Sequence, residues 1–428
     1  MFKGMRTGIF LAAGLFLMVF MAGSVYAADC GGMVQCNCGD TLTSSQTMWY
    51  DLINCQGNGL VIGADNITLN MNRHTITGSA VSLEDYYGIY ADGHNYARIL
   101  NGEIYNFLSG IRVYSGSNNQ LTNIVANNNY EGILFESSSN NILTNIISNN
   151  NHDSIIFYDS SGNKLTNITS NDNSNGLKLS YFTNNQLTSI TSNNNIQFGI
   201  FLYDSSDNIM TNIISNNNGD GIYIMSSSNN KAYLSSFIDN AQNAQSYDSI
   251  SLWNSPSPVD YTYDNKIFTG YLGNYWSDYA GSDADGNGVG DTPYLIDSNN
   301  ADNYPLMIPF ENYFKPLVNL DSDNDGVPDK NDKCPNTILP EVFKKFKPNN
   351  YGDIDGDGVF ETLNNKGKAI KDTLYSLTDT YGCSCKQILA FKPGKNQDKE
   401  KFGCEKETIK KFIKEKGWAK NLFKQTKI

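Results

Sequence analysis

The sequence predicts an all-β fold, a right-handed parallel β-helix, on three observations. The segment Asn119-Gln120-Leu121-Thr122-Asn123 returns starting at Asn141, Asn163, Asn185 and Asn208, at spacings of 22, 22, 22 and 23 residues. A second marker, Gly88, Gly110, Gly132, Ser154, Gly176, Gly199 and Gly221, each followed by Ile or Leu, keeps the same register. Within one period the residues alternate in three short groups: Asn119 with Leu121, Ile124 with Ala126, and Ile133 with Phe135. Alternation of period two over so few residues means short strands with one buried face, and three strands per turn make a triangular coil.

Stacked coils bring equivalent residues to about 4.8 Å, the spacing of neighbouring strands. Leu121, Leu143, Leu165, Leu187 and Met210 then form one buried ladder, and Ile124, Ile146, Ile168, Ile190 and Ile213 another. The asparagines at 127–129, 149–151, 193–195 and 216–218 suit corners, because Asn tolerates left-handed turns and stacked amides hydrogen-bond along the axis. A leucine-rich repeat, the rival solenoid, needs a long helical return segment, which these Asn- and Ser-rich connections disfavour.

Residues 1–27 read as a secretory signal: Lys3 and Arg6, an apolar run from Ile9 to Met21, and Val25-Tyr26-Ala27 as a cleavage site. The apolar run is shorter than the roughly 20 residues a membrane span needs, so no transmembrane anchor is expected after cleavage. Residues 28–57 are expected to form a cysteine-bearing cap, 58–272 the repeats, about nine or ten coils in a rod of about 45 Å, and 273–310 a second cap. Residues 311–362 hold aspartate-rich loops, and 363–428 a small helical tail with helix-like spacing at Ile409, Phe412 and Ile413 and a break at Gly417.

The eight cysteines fall into two even clusters, Cys30, Cys36, Cys38 and Cys55, then Cys334, Cys383, Cys385 and Cys404. In an exported chain these read as disulfides, with three possible connectivities per cluster. Zinc is the competing reading, but neither cluster has paired C-x2-C spacing or a nearby histidine. The net charge is −13, although residues 392–428 carry 12 Lys against 5 Asp and Glu. An acidic, exported body excludes nucleic acid as the expected partner. The basic tail reads as a solvated helix or as a contact to an anionic polymer.

Three segments present oxygen donors at alternate positions with a glycine at the sharp turn. The fullest is Asp321, Asp323, Asp325, Gly326, Val327, Asp329 and Asp332, which matches positions 1, 3, 5, 6, 7, 9 and 12 of an oxygen cage for Ca²⁺. Asp353, Asp355, Asp357, Val359 and Glu361 form a shorter version, as do Asp283, Asp285, Asn287, Val289 and Asp291. Crowded carboxylates repel one another, so the cation is expected to supply folding energy. Pro316, Pro328 and Pro335 exclude the flanking helices of an EF-hand.

With these residues in view, a resemblance becomes specific. The repeats, the leading stretches Cys38-Gly39-Asp40-Thr41 and Gly63-Ala64-Asp65-Asn66-Ile67-Thr68-Leu69, and the closing stretch Gly273-Asn274-Tyr275-Trp276-Ser277-Asp278-Tyr279 resemble NosD-type β-helix proteins. They are also similar to the carbohydrate-binding and sugar-hydrolase repeats of prokaryotic, particularly archaeal, surface proteins. The run from Asp321 to Pro335 resembles a thrombospondin type 3 repeat, which implies calcium held in extended acidic loops. The NosD resemblance implies, by name, periplasmic copper. The three histidines, His74, His94 and His152, supply no soft cluster for it.

Function is sought on the outward strand positions. Two residues after each marker stand Tyr90, Arg112, Leu134, Ile156, Lys178, Phe201 and Tyr223; four after it stand Asp92, Tyr114, Glu136, Tyr158, Ser180, Tyr203 and Met225. Aromatics mixed with isolated charges stack on sugar rings and hydrogen-bond their hydroxyls, so this stripe is expected to bind a glycan, another cell-surface polymer or a surface protein. Tyrosine ladders also form in strands without any ligand. The expected role is non-catalytic binding or adhesion, and a lyase, epimerase or hydrolase on the same face is the alternative. Asp92 and Glu136, two coils and about 9.6 Å apart, are the only paired carboxylates in those columns.

Overall fold

The computed structural model describes residues 28–79, 86–314, 321–329, 331–364, 366–391 and 401–415. The expected signal segment, the break at Gly417 and most of the basic tail lie outside these residues. The chain divides into two compact units, Met1–Val259 with Thr269–Glu311, and Asp260–Phe268 with Asn312–Ile428.

The first unit is the right-handed parallel β-helix. One parallel sheet of eleven strands runs from Asp29–Cys30 to Gln242–Tyr247, and the same coils supply a second sheet of fourteen strands. The register matches the repeat residue for residue: Leu121 pairs with Leu143, Leu143 with Leu165, and Leu187 with Met210. Both predicted ladders are buried, as is a file of Phe135, Phe157 and Phe182 with ring centroids 4.9 and 5.0 Å apart.

Two of the three expected strands run together. Gln120–Asn127 is one bent strand, hinged where Asn123 takes φ 56°. Each regular coil turns at four such left-handed residues, for example Ser137, Asn140, Asn145 and Asn150. Asn visits that region at less cost than most side chains, which explains its frequency.

Asparagine also builds the interior. Asn119, Asn141, Asn163, Asn185, Asn208 and Asn230 form a buried ladder in which each Oδ1 from Asn141 onward accepts the backbone N–H of the asparagine one coil earlier, at 2.7–3.0 Å, and that of Asn119 accepts the Ala97 N–H. Asn129, Asn151, Asn173, Asn195, Asn218 and Asn240 repeat the arrangement at another corner. The corners therefore leave few buried backbone groups unpaired, which a dry solenoid requires.

The marker glycine has a steric cause. A Cβ at Gly132 would meet Ser148 Oγ and the Ser154 carbonyl, both inside the coil. Ser154 occupies this position one coil later by donating its hydroxyl to the Ser148 carbonyl at 2.7 Å.

At the start, Asp40–Leu42 pairs in parallel with Leu60–Ile62, and disulfides join Cys30 to Cys36 and Cys38 to Cys55. At the far end, Tyr275–Trp276 pairs with Ser236 and Phe237, and the buried Trp276 stacks on Phe237 at 4.7 Å. The fully buried Asp302 accepts hydrogen bonds from the Asn274 amide, Trp276 Nε1 and the Tyr304 amide at 2.7–3.0 Å. Burial pushes its carboxyl up to about 7.

The second unit packs Val327, Phe360, Leu377, Ile388, Leu389, Ile409 and Phe412 into a small core held by disulfides Cys334–Cys383 and Cys385–Cys404. Helices Cys385–Phe391 and Lys406–Lys414 carry part of this core, and the latter buries Ile409 and Phe412. The tail is not wholly helical, because Val359–Leu363 and Ala369–Ser376 pair as antiparallel strands.

Candidate functional site

The outward columns stack in register along the eleven-stranded sheet. Tyr90 pairs with Arg112 and Lys178 with Phe201, which pairs with Tyr223; Asp92 pairs with Tyr114, and Glu136 with Tyr158. The structure adds a third column, the residue before each marker: Tyr87, Ser109, Glu131, Asp153, Asn175, Phe198 and Asp220. Tyr87 packs on Tyr90 at 5.1 Å and Phe198 on Phe201 at 4.9 Å, so this column lies on the same outer face. Its signal in the sequence is a polar or aromatic residue ahead of each small marker, where strand alternation alone predicts an inward side chain.

The face divides into two zones. Phe198, Phe201 and Tyr223 form an aromatic platform with centroids 4.9–5.9 Å apart. Tyr158, Tyr181 and Tyr203 make an edge-to-face row at 5.3 and 5.8 Å beside it, and Tyr181 belongs to neither predicted column. The other zone is charged. Arg112 donates to the Tyr87 hydroxyl at 2.6 Å and to Glu136 at 3.0 Å, while Lys178 lies 3.5 Å from Asp153. Burial and the neighbouring Asp153 push the Glu131 carboxyl up, against the Ser109 hydroxyl that donates to it. Of the two carboxylates paired from the sequence, Asp92 and Glu136, the latter is ion-paired with Arg112.

In the second unit two acidic clusters converge. Asp353, Asp355, Asp357 and Glu361 place ligand atoms within 4.8 Å of one another, as do Asp321, Asp323 and Asp325. Each loop is shaped by its first aspartate, which accepts backbone N–H groups across the turn: Asp325 and Gly326 onto Asp321, Gly356 and Gly358 onto Asp353. Asp323 Oδ1, Asp325 Oδ2 and Glu361 Oε1 are buried without a hydrogen-bond partner. Burial, reinforced by the adjacent carboxylates, pushes Asp325 up to about 6 and Glu361 up to about 7. Such orphaned acceptors fit a hard cation.

Other predicted ligands have different partners. Asp329 accepts from Ser322, and Asp332 accepts the Cys334 amide at 2.7 Å. Within the convergent cluster, Lys371 also pairs with Asp355 and Asp357. In the first unit Asp283 accepts the Asn287 and Gly288 amides, but Asp291 turns to Ser282 and Ala284. Asp283, Asp285 and Asp291 form no convergent cluster among the described residues.

The family model for NosD, described as periplasmic copper-binding protein, matches residues 53–281. The chain belongs to the NosD family. The described donors of this NosD-family chain do not fit copper: His74 is held by Asp51 and His94 by Asp65, while His152 stacks on Tyr130. All eight cysteines are in disulfides, and the convergent clusters found among the described residues hold only hard carboxylates.

Among solved structures, the enzymatically active domain of bacteriophage CBA120 tailspike protein 2 is similar at 12% identity and TM-score 0.38, over 50% of this chain and 37% of that one. The periplasmic alginate epimerase AlgG is similar at 14% identity and TM-score 0.33, over 45% and 55%. DFA-IIIase from Arthrobacter chlorophenolicus A6 is similar at 9% identity and TM-score 0.35, over 44% and 58%. The chain thus spans about a third to three fifths of these structures. No curated protein matches the chain. Among the described residues, no helix is long and apolar enough to cross a membrane.

Proposed function

We propose that this NosD-family chain is an exported, calcium-stabilised surface protein that holds a glycan along the outer face of its eleven-stranded sheet. The observation that carries the reading is the aromatic platform of Phe198, Phe201 and Tyr223 lying in register with a hydrogen-bonding zone of Arg112, Glu136, Asp153 and Lys178. Sugar rings offer apolar faces to such rings and hydroxyls to such charges. Four disulfides support an oxidising compartment.

The two convergent loops of the second unit are the proposed Ca²⁺ sites, with Asp321, Asp323 and Asp325 in one and Asp353, Asp355, Asp357 and Glu361 in the other. Cation binding there satisfies the unpartnered oxygens and offsets carboxylate repulsion. The test is a glycan array probed in calcium buffer with the wild type and with the Phe201→Ala/Tyr223→Ala double variant. Binding of a defined glycan class, weakened at least tenfold by the double variant, supports the reading. Equal binding by both proteins refutes it.

A further inference from the structure

We propose that the same face is a hydrolytic centre in which Glu131 is the proton donor and Asp153 the base that activates water against a glycosidic bond. This rests on the reading that the face holds a glycan, and it uses a carboxylate pair that lies outside the columns read from the sequence.

The two residues are direct neighbours on adjacent parallel strands, so their backbones stand about 4.8 Å apart. Like charges directly opposite each other destabilise a sheet. A purely structural ladder has no need of them, and elsewhere this protein stacks neutral amides, as in the file from Asn119 to Asn230. The carboxyls are drawn in opposite directions. Ser109, one coil before, donates to Glu131 at 2.5 Å, and Asn175, one coil after, donates to Asp153 at 2.6 Å. An inverting hydrolase needs roughly 6.5–9.5 Å between its carboxyls to leave room for a water, and turning the two groups apart works towards that arrangement.

A second, independent feature points to a ligand. Asn175 is only 5% exposed, yet its Oδ1 has no hydrogen-bond partner, and the buried Nε of Arg112 also lacks one. Unpaired polar atoms beside the carboxylates are what substrate hydroxyls would satisfy. The aromatic platform at Phe198 and Phe201 begins two coils beyond Asp153, about 9.6 Å along the axis, where it can hold a neighbouring sugar.

The Glu131 carboxyl has the environment that a proton donor needs. Burial raises the Glu131 carboxyl and favours its protonated form, outweighing the pull of Arg112 and Lys178. Asp153 faces the Lys178 ammonium at 3.5 Å and His152 Nδ1 at 3.4 Å. Protonated Glu131 donates its proton to the glycosidic oxygen as the bond from the anomeric carbon to that oxygen breaks, and the leaving chain departs as an alcohol. Water attacks the anomeric carbon from the other side and passes a proton to Asp153. Proton exchange with solvent then resets the pair. No redox partner or other co-reactant is required.

The test measures release of reducing ends from soluble polygalacturonate, alginate, β-glucan, xylan and mannan by the wild type, Glu131→Gln and Asp153→Asn, with binding of each polymer followed by affinity electrophoresis. The expected result is turnover of at least one polymer, lowered about 10²- to 10⁴-fold in kcat by each substitution while retention in the gel persists. The wild-type rate should also fall as rising pH deprotonates Glu131. If Asp153→Asn fails to fold, Glu131→Gln carries the test, because its amide still pairs with Ser109. Retention of a polymer without turnover by the wild type overturns the catalytic pair but leaves glycan binding standing. Absence of both retention and turnover overturns both readings, and an undiminished kcat in Glu131→Gln overturns the assignment.

Discussion

Replacing Asn163 by Ala removes one rung from the interior amide ladder, and its cost follows from the bonds lost. Asn163 Oδ1 accepts the Asn141 backbone N–H at 2.8 Å and the Asn141 side-chain amide at 3.1 Å, while its Nδ2 donates to the Ser138 carbonyl at 3.3 Å and to Asn185 Oδ1 at 3.1 Å. The residue is 1% exposed. The Asn141 N–H and the Ser138 carbonyl lose these partners, at about 1–3 kcal/mol for each buried group left unsatisfied. A loss of about 2–6 kcal/mol is expected from these two groups together. Residue 163 has no left-handed φ, so alanine meets no backbone strain. Urea unfolding followed by far-ultraviolet circular dichroism should show a lower midpoint, while the exposed neighbour Lys164→Ala stays within about 0.5 kcal/mol of wild type. A loss below about 1 kcal/mol for Asn163→Ala would refute the view that the ladder holds the coils together.

Titration calorimetry with Ca²⁺ is expected to find two sites, one for each convergent loop, and Asp353→Asn should abolish one of them. At a free concentration of about 100 times Kd, each ion should stabilise its fold by about 2.7 kcal/mol, read as a chelator-sensitive rise in Tm. Asp302 gives a pH dependence of defined sign. Its folded pKa of about 7 lies above the ordinary value of 3.8, so its contribution to stability is greatest below about pH 4 and is lost as pH rises towards 7, by on the order of 4 kcal/mol. Asp302→Asn should remove that slope in urea titrations between about pH 4 and 8; an unchanged slope would exclude Asp302 as its source.

Much of the solenoid was legible because its period is written in the side chains. A parallel helix returns every twenty-second residue to the same environment, so Leu121 and Ile124 name their own partners. What alternation could not show was the corner. Left-handed Asn123 lets two strands continue as one, and the Asn119 side chain accepts the Ala97 backbone N–H one coil earlier.

The same limit hid part of the face. Glu131 and Asp153 precede an irregular step at the marker, so counting by twos places them inside, whereas their contacts are with Ser109, Asn175 and Lys178 on the outer side. The acidic loops were legible in their spacing but not in their convergence. Only three-dimensional placement separates Asp353, Asp355, Asp357 and Glu361, which converge, from Asp283, Asp285 and Asp291, which form no such cluster among the described residues.

The most direct test of the ligand face is hydroxyl-radical footprinting by mass spectrometry, with and without the glycan selected on the array. The account predicts that bound glycan protects Phe198, Phe201 and Tyr223 on the platform and leaves the exposed Trp49 and Tyr50 unchanged. Protection at Trp49 and Tyr50 with none on the platform would contradict it.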